Sequence, residues 1–526
     1  MGKEYIKIGF SRDIENPKDR RLFRFLEILP GTLSWLTLIL VIFLSWQKPV
    51  WIAIFIICFD IYWFFRLVIL SIYQINSYKK TKRNFKIDWI DKLEKLPIEN
   101  CKPASPTGGL KIENWRDIYH LIILPTYKEK LEIVRPTFSA LINSKYPLDR
   151  FIVVLAIEEM AGEQAQLLAE EIKKEFGDKF FRFLITVHPK DIEGELAGKG
   201  SNETWAGRIA KKEIIDLLKI PYESIIVSSF DIDTQAYPYY FACLTYHYLT
   251  CDKPFRSSFQ PIPLFNNNIW DAPAISRVMA MGSTFWHMTQ QERTKELYTY
   301  SSHSMSFKAI VEMDFWPVKN VNEDSRIFWQ AFLFYDGDYE TIPLYYPVSM
   351  DANLAETFWQ TVKNVFRQQT RWSWGVENLP YYIFGAIKNK AMPFKKKLYH
   401  AFNHGEAFWS WATNSILLFF LGWLPIFLGG ERFNVTILSY NLPRTTQTIM
   451  TVMMFGLILS AFYGLRLLPP LPPKYRHSRY VWMVLQWMLI PVAMIVLGAI
   501  PALVSQTRLM FGKYMGFWVT VKKRKT

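Results

Sequence analysis

The sequence predicts an α/β domain with a mostly parallel sheet, inserted between N-terminal and C-terminal transmembrane helices. Three observations lead to this prediction. Long apolar runs lie near both ends of the 526-residue chain, and its middle has no run of comparable length. In the middle, short strand-like runs alternate with amphipathic helical stretches, which is typical of parallel α/β sheets. Three of the strand-like runs end at polar or acidic residues, at the edge where such sheets bind ligands.

Two apolar runs, residues 26–46 and 50–73, follow a basic N-terminus. Each is long enough to cross about 30 Å of hydrocarbon as a helix. A second run directly after the first, behind a long basic segment, argues against a cleaved signal peptide. Asp60 and Arg66 lie inside the second run, where charged side chains usually face protein or water. They are candidates for a pair across helical turns, either buried or snorkelling, or for a polymer channel.

Three further apolar stretches follow the polar middle, at residues 407–428, 446–468 and 480–511. The first two predict crossings, which makes four in all. The third is short for two full helices of about 20 residues each. Pro491 and Pro501 interrupt it, so it predicts either a re-entrant hairpin or an interfacial segment. Basic residues flank this stretch on both sides, and the positive-inside rule places both of its ends in the cytosol.

The chain carries a formal net charge of +15. Anionic headgroups and the positive-inside rule account for this charge, so we expect a lipid bilayer and no nucleic acid as partner. The four cysteines form no C-x-x-C pair, which indicates neither a zinc site nor a disulfide framework. We expect a multi-pass protein of the inner or plasma membrane with a cytosolic catalytic domain. Its predicted parts are a basic N-terminus with two membrane helices (1–80), the cytosolic domain (81–405), a C-terminal membrane region (406–511) and a cytosolic tail (512–526).

The predicted strands of the middle domain end in groups that can bind a charged ligand. The strands are residues 120–125, 151–157, 180–187 and 224–230, with a crossover helix at 130–144. After the fourth strand come Asp231 and Asp233, two carboxylates that can bind one hard cation and the diphosphate it bridges. An Asp-x-Asp pattern more often indicates a solvated turn. Lys199, between two glycines, can meet a phosphate, although the same pattern also suits a flexible loop.

Further along the chain, two polar motifs follow aromatic segments. Asp324 can act as a general base for an acceptor hydroxyl, or it can be an N-terminal charge of the helix that follows it. Gln368, Arg371 and Trp372 form a Gln-x-x-Arg-Trp motif, in which Arg371 can bind phosphate and Trp372 can stack on a sugar. A snorkelling pair at a membrane interface is the alternative. Residues 517–522 read Phe-Trp-Val-Thr-Val-Lys, which alone would be a basic interfacial tail.

Together these motifs resemble the family-2 membrane glycosyltransferases, which include cellulose, chitin, hyaluronan and mannan synthases. The resemblance covers about residues 28–526, and the terminal Phe-x-Val-Thr-x-Lys looks like the gating loop of cellulose synthase. It implies a GT-A-like nucleotide-diphospho-sugar transferase domain. It also implies that Asp324 is the catalytic base, and that Asp231 and, more directly, Asp233 hold Mg²⁺ or Mn²⁺ at the donor diphosphate.

The resemblance also implies a nucleotide-sugar pocket, closed over the donor by the gating segment. Its implied residues are Pro125, Thr126, Tyr127, Glu129, Glu158, Glu159, Lys199, Asp231, Gln368, Arg371, Trp372, Thr520 and Lys522. Three places depart from the family, and one of them is Asn322, which stands where a threonine is usual before Glu-Asp. Glutamates occupy 158 and 159 where an aspartate is usual, and residues 301–307 differ from the acceptor loop of cellulose synthase. The identity of the product therefore does not carry over.

The expected activity is inverting transfer of a sugar from a nucleotide-sugar, with a UDP-sugar as the expected donor, to a growing β-linked polysaccharide. Export of the polymer and accessory export subunits are expected with it. One alternative is transfer of a single sugar to a lipid or glycolipid acceptor. A second is a non-catalytic membrane scaffold or sugar sensor on a transferase fold, which the full set of motif residues disfavours.

Overall fold

A mixed β-sheet lies at the centre of the middle domain. The computed structural model describes residues 3–97, 112, 114–516 and 524, except the side chains of 453, 455 and 457. In this part of the chain the strands are β1 (Tyr119–Thr126), β2 (Phe151–Glu158), β3 (Arg182–His188), β4 (Ile225–Ser229), β5 (Gln235–Ala236), β6 (Ser257–Leu264), β7 (Ser304–Ser306) and β8 (Glu340–Ser349).

The helices in the described residues lie before, between and after these strands. They are α1 (Pro17–Gln47), α2 (Pro49–Asn84), α3 (Trp89–Glu94), α4 (Leu131–Ile142), α5 (Glu163–Phe176), α6 (Lys199–Ala210), α7 (Tyr240–Thr250), α8 (Ala274–Gln291), α9 (Phe307–Glu312), α10 (Glu323–Phe334), α11 (Phe358–Ser373), α12 (Asn378–Lys388), α13 (Phe394–Phe419), α14 (Leu424–Leu428), α15 (Gly430–Asn434), α16 (Ile437–Arg466), α17 (Arg479–Leu485), α18 (Ile490–Ala493) and α19 (Ile500–Met510).

The sheet has the order β3-β2-β1-β4-β7-β6-β8-β5. The half formed by β3, β2, β1 and β4 is parallel throughout, which confirms the prediction for the four strands read from the sequence. The other half is mixed, because β7 pairs antiparallel with β4 and β6, while β6 and β8 are parallel. The carboxyl ends of β1, β2 and β4 therefore meet at one edge, as predicted.

Apolar side chains point to both faces of the sheet, and both faces are buried. In β1, Leu121 and Ile123 contribute to one hydrophobic core, and Ile122 and Leu124 contribute to the core on the opposite face. Successive side chains of a strand point to opposite faces, so a continuous apolar run requires cover on both sides. Helices provide that cover, with α6 and α10 packing in the first core and α4, α5 and α7 in the second. The α/β prediction is thus confirmed.

Helices α1 and α2 contain the two N-terminal apolar runs and extend beyond them. Both are long and apolar enough to span a membrane, and large apolar side chains such as Trp51 and Phe65 are exposed on α2. The suggested pair between Asp60 and Arg66 is wrong, because six residues are about 1.7 helical turns and put the two side chains on different sides. Arg66 instead forms an ion pair with Glu406 of α13 at 2.6 Å. Asp60 accepts a hydrogen bond from the Thr446 hydroxyl of α16 at 2.8 Å.

The C-terminal region is only partly as expected. Among the described residues, Arg479–Met510 is the third helix long and apolar enough to span a membrane, and α13 with α14 qualifies only as a pair bent by 50°. The predicted crossing at 446–468 lies largely within α16. The predicted broken element is one helical run with a 3-10 turn and a π turn, so its hairpin form is wrong.

Both ends of the run Arg479–Met510 contact parts of the chain outside the membrane runs. Arg479 donates a hydrogen bond to the carbonyl of Trp270 at 2.8 Å, in the segment between β6 and α8. At the other end, Arg24 of α1 donates to the carbonyl of Leu509 at 2.9 Å. Other segments of the chain therefore hold the run at both of its ends.

Candidate functional site

Polar side chains from several distant segments meet at the carboxyl edge of the parallel half-sheet. Asp231 and Asp233 lie in the turn between β4 and β5, which a hydrogen bond from Thr234 to the carbonyl of Asp231 closes at 2.8 Å. The Asp231 side chain is 26% exposed, whereas Asp233 is fully buried. The Asp231 carboxylate accepts a hydrogen bond from the Ser301 hydroxyl at 2.7 Å. The divergent 301–307 segment is thereby brought directly against the Asp-x-Asp motif.

Lys199 lies among three carboxylates, which together with it we call the Lys199 cluster. Its ammonium is 2.8 Å from Asp231, 3.5 Å from Glu203 and 3.6 Å from Glu323. Lys199 opens α6, and Gly200 lets this helix approach its neighbours closely, since a Cβ there would lie 2.7 Å from the carbonyl of Pro317. The sequence indicated Lys199 as a phosphate contact. In this structure its charge also balances acidic groups at the carboxyl edge of the half-sheet.

Burial and charge together perturb the pKa values of the cluster. Burial lowers the pKa of Lys199, but Asp231, Glu203 and Glu323 outweigh it and raise that pKa well above its ordinary value. Burial raises the pKa of Glu203 to about 7, against the opposing effects of Lys199 and the Ser229 hydroxyl. Burial also raises the pKa of Glu323 well above its ordinary value, and the Lys199 charge opposes this rise. Strong shifts at one cleft are typical of functional sites and also of structural ion-pair networks.

Asp324 lies in the first turn of α10, next to the cluster. Burial raises its pKa, opposed first by Lys199, while Asp231 raises it further and Arg371 lowers it. Its carboxylate accepts a hydrogen bond from the Ser325 backbone N–H at 2.7 Å. Asp324 is thus also a negative charge at the N-terminus of a helix, which was the alternative interpretation. The structure thus brings the predicted base into electrostatic contact with residues from α6, the β4–β5 turn and α11.

The Gln-x-x-Arg-Trp motif occupies the end of α11. The side-chain amide of Asn322 donates a hydrogen bond to the carbonyl of Arg371 at 3.0 Å, which joins the two motifs. Gln368 lies one turn before Arg371, on the same side of the helix. The ring of Trp372 packs against Phe265, with centroids 6.1 Å apart.

The end of β1 forms a tight turn around one carboxylate. Glu129 accepts hydrogen bonds from the Thr126 hydroxyl at 2.8 Å and from the Tyr127 backbone N–H at 2.7 Å. Pro125 precedes them and is half-buried. Glu129 therefore organises the loop that was expected to line the nucleotide pocket.

The two glutamates at the end of β2 have different surroundings. Glu158 is buried and its carboxylate lies 3.0 Å from Nδ1 of His188, whose Nε2 lies 3.1 Å from Glu195. Burial lowers the pKa of His188, but the two carboxylates outweigh it and raise that pKa. Glu159 is exposed and accepts a hydrogen bond from the Lys190 backbone N–H at 3.0 Å. Of the two, Glu159 is therefore the one that faces solvent.

Asp231 and Asp233 are the residues of this edge suited to Mg²⁺ or Mn²⁺, which prefer carboxylate oxygens. Within the described part of the chain, no group of three or more His, Cys, Asp or Glu side chains could hold a metal. Mg²⁺ is commonly bound through one or two carboxylates together with substrate phosphates. The pair therefore fits a cation that is also held by a phosphate group, and within the described residues it does not make up a cation site held by protein alone.

Several residues of the edge were missed by the sequence analysis. Glu203 could have been found as the i+4 partner of Lys199 on a helix. Asp351 and Arg524 carry no local pattern, and the sequence named the 301–307 segment without its contact between Ser301 and Asp231. These contacts depend on chain segments that are far apart in sequence. Thr520 and Lys522, predicted to close over the donor, lie outside the described residues.

Comparisons with known proteins give distant likenesses. No family model matches the chain, and no curated protein matches it. One similar solved structure is the mannosyltransferase PcManGT from Pyrobaculum calidifontis in complex with GDP-Man and Mn²⁺, at 14% identity and a TM-score of 0.38, covering 75% of this chain and 99% of that one. Another is residues 1–349 of S. aureus TarS, at 11% identity and a TM-score of 0.33, covering 66% and 91%. The same TarS fragment with UDP-GlcNAc gives 11% identity and a TM-score of 0.34, covering 66% and 92%. None of these values assigns a family or a substrate.

Proposed function

We propose that this chain is an inverting membrane glycosyltransferase that takes a sugar from a nucleotide-sugar, with a UDP-sugar as the expected donor, and adds it to a growing β-linked polysaccharide. One observation carries the proposal. Asp324, a candidate base, lies close enough to Lys199, Asp231 and Arg371 for their charges to shift its pKa. Lys199 and Arg371 are cations suited to a diphosphate leaving group, and Asp231 is suited to the divalent cation that would accompany it. A base and a leaving-group site side by side are what a single displacement requires.

In the proposed reaction, the carboxylate of Asp324 takes the proton of an acceptor hydroxyl. The hydroxyl oxygen forms a bond to the anomeric carbon from the face opposite the nucleoside diphosphate, and the bond from that carbon to the diphosphate oxygen breaks. Base catalysis of this kind contributes about 10²- to 10⁴-fold. The raised pKa of Asp324, caused mainly by its burial, suits a group that must receive a proton.

The leaving diphosphate is stabilised by cationic side chains in this account. Lys199 and Arg371 supply positive charge where negative charge develops. A divalent cation held by Asp231 and Asp233 would add charge stabilisation at the diphosphate oxygens. Trp372, at the end of α11, is the expected stacking surface for the acceptor sugar, and Gln368 an expected polar contact of the donor. Of the acids that end β2, Glu159 is the better placed to meet the ribose, since it is exposed.

The membrane helices supply the cellular setting of the proposal. Three helices in the described residues are long and apolar enough to span a membrane. We infer a multi-pass protein of the cell membrane with the sheet domain in the cytosol, where nucleotide-sugars are available. Export of the polymer, with or without accessory subunits, belongs to the same proposal.

A lipid-borne acceptor is the second candidate, and one observation favours it. A groove of about 570 Å³ lies between α2 and residues 292–296, and its walls include Tyr62, Phe65 and Ile69 on the apolar side and Arg293 and Lys295 on the polar side. Such a groove can hold an acyl or prenyl chain with its polar end toward the sheet domain. Mass spectrometry of the product distinguishes a polymer from a lipid that gains one sugar.

The substitution Asp324→Asn tests the proposed base. We expect the purified variant to bind UDP as the wild type does, by isothermal titration calorimetry, while sugar transfer falls at least about 100-fold. The matched control is Asp338→Asn. Asp338 is an exposed carboxylate outside the proposed site, and its ion pair with Arg256 has a distance of 2.6 Å. Transfer by Asp324→Asn at a rate close to that of the control would refute the assignment of the base.

A further inference from the structure

The loop that follows β8 is fixed to the segment after β6 by its backbone. The Met350 N–H donates to the carbonyl of Leu264 at 2.8 Å. The side chain of Asn268 then accepts a hydrogen bond from the Ala352 N–H at 2.8 Å and donates one to the Ala352 carbonyl at 2.9 Å. These bonds on both sides of residue 351 leave its backbone little freedom to move.

Asp351 lies within this fixed loop and contacts the Asp-x-Asp motif directly. Its backbone N–H donates a hydrogen bond to Oδ2 of Asp233 at 3.0 Å. The side-chain amide of Asn267 donates to Oδ1 of Asp351 at 2.9 Å and to the carbonyl of Asp233 at 3.1 Å. The orientation of Asp233 is therefore tied to the position of Asp351 by two independent hydrogen-bonded routes.

The carboxylate of Asp351 is fully buried and is paired with a residue from the extreme C-terminus. Arg524 donates from Nη2 to Oδ1 of Asp351 at 2.7 Å and from Nε to both carboxylate oxygens at 3.2 Å. Arg524 also donates to the carbonyl of Glu132, at the start of α4, at 3.3 Å. A buried charge that loses its partner is strongly destabilised, so this ion pair holds Asp351 in place.

We propose that Asp351 is a positioning residue for Asp233, and that Arg524 acts through Asp351 to tune the affinity of the Asp-x-Asp motif for a divalent cation and the diphosphate it bridges. The inference rests on the proposed function, since it concerns the same site. It adds that Arg524, which lies 173 residues after Asp351, contributes to that site through an ion pair. Groups that orient a ligand residue typically affect metal affinity by about 10- to 100-fold.

The test measures Mn²⁺ binding to the full-length protein by electron paramagnetic resonance, with UDP present. We expect Asp351→Asn and Arg524→Gln each to weaken Mn²⁺ binding by about 10- to 100-fold. In transfer assays the Mn²⁺ concentration for half-maximal rate should rise by a similar factor, with kcat little changed at saturating Mn²⁺. Arg524→Lys should recover part of the affinity, because a lysine retains the charge but not the fork of donors.

The controls use a matched pair in the same domain. Asp338→Asn and Arg256→Gln break an exposed Arg–Asp ion pair and should leave Mn²⁺ binding unchanged. The double variant Asp351→Asn/Arg524→Gln should bind Mn²⁺ no more weakly than the worse single variant, because both changes break one interaction. If Asp351→Asn fails to fold, Arg524→Gln alone decides the result.

The outcomes separate the inference from the proposed function. If the wild type binds Mn²⁺ with UDP and the variants bind it equally well, the positioning role is refuted while the proposed function stands. If the two single effects add in full, the claim that Arg524 acts through Asp351 is refuted while the proposed function stands. If the wild type itself binds neither Mn²⁺ nor UDP, the proposed function fails and the inference fails with it.

Discussion

Replacing Glu203 by glutamine should change how the stability of the sheet domain depends on pH. Glu203 is fully buried; it accepts a hydrogen bond from the Ser229 hydroxyl and lies 3.5 Å from the ammonium of Lys199. Burial raises its pKa from 4.5 to about 7. The folded protein therefore keeps a proton on this carboxyl that the unfolded chain releases. The stability contributed by this proton is complete below the unfolded pKa and is lost as the pH rises through the folded pKa.

The magnitude follows from the two pKa values. One pKa unit corresponds to about 1.4 kcal/mol, so the difference between 4.5 and about 7 corresponds to about 3 kcal/mol over the full range. Between pH 5 and pH 8 the linkage relation gives about 2–3 kcal/mol. Glutamine carries no proton equilibrium and retains an oxygen that can accept from Ser229, so the variant should lack this contribution. The free energy of unfolding of Glu203→Gln minus that of the wild type should therefore rise as the pH increases from 5 to 8.

The assay is unfolding of the detergent-purified protein followed by tryptophan fluorescence at pH 5, 6, 7 and 8. The quantity of interest is the difference in free energy of unfolding between wild type and variant at each pH. The control is Glu171→Gln, which removes an exposed carboxylate paired with Arg135. A wild-type–variant difference that stays constant from pH 5 to pH 8, as expected for the control, would refute the assignment of a raised pKa to Glu203.

Three further predictions follow from contacts in the structure. Gly200→Ala would put a Cβ 2.7 Å from the carbonyl of Pro317, so we expect a loss of about 1–3 kcal/mol in stability and slower transfer; an unchanged melting midpoint would contradict this. Arg66→Gln should lower the melting midpoint by removing the partner of Glu406 at 2.6 Å, and adding Glu406→Gln should restore part of it. The pKa of His188 is raised above 6.5, because its two carboxylate partners outweigh the effect of burial. Its charged form therefore stabilises the protein fully below pH 6.5, and this stabilisation is lost as the pH rises through the folded pKa. The free energy of unfolding of His188→Gln should fall less steeply above pH 6.5 than that of the wild type.

Much of the fold follows from local sequence patterns. The apolar runs that became β1 and β2 are long enough for strands and too short for membrane helices, and their ends were correct to within a residue or two. The third strand begins later than expected, at Arg182, because residues Gly177–Lys179 form a 3-10 turn before it. The antiparallel insertion of β7 was not predictable, since its three residues are stabilised by neighbours rather than by their own pattern.

Candidate site residues that belong to a sequence motif could be predicted. Residues that only the fold brings next to the motif were missed. Asp231, Asp324 and Arg371 were identified by their neighbours in sequence, and the structure brings them into electrostatic contact. Asp351 has no such context, and its contact with Asp233 spans 118 residues of chain. The ion-pair partner of Arg66 could not be read from one helix, because Glu406 belongs to another helix far along the sequence.

The central claim is that the carboxyl edge of the sheet binds a nucleotide-sugar and transfers its sugar with inversion. The most direct measurement incubates the purified protein with a panel of UDP- and GDP-sugars and Mg²⁺ or Mn²⁺. It follows release of nucleoside diphosphate and determines the anomeric configuration of the product by NMR. We predict release from one donor by the wild type, a β-linked product from that α-linked donor, and loss of both with Asp324→Asn. A product that retains the donor's configuration, or no release from any donor, would contradict the account.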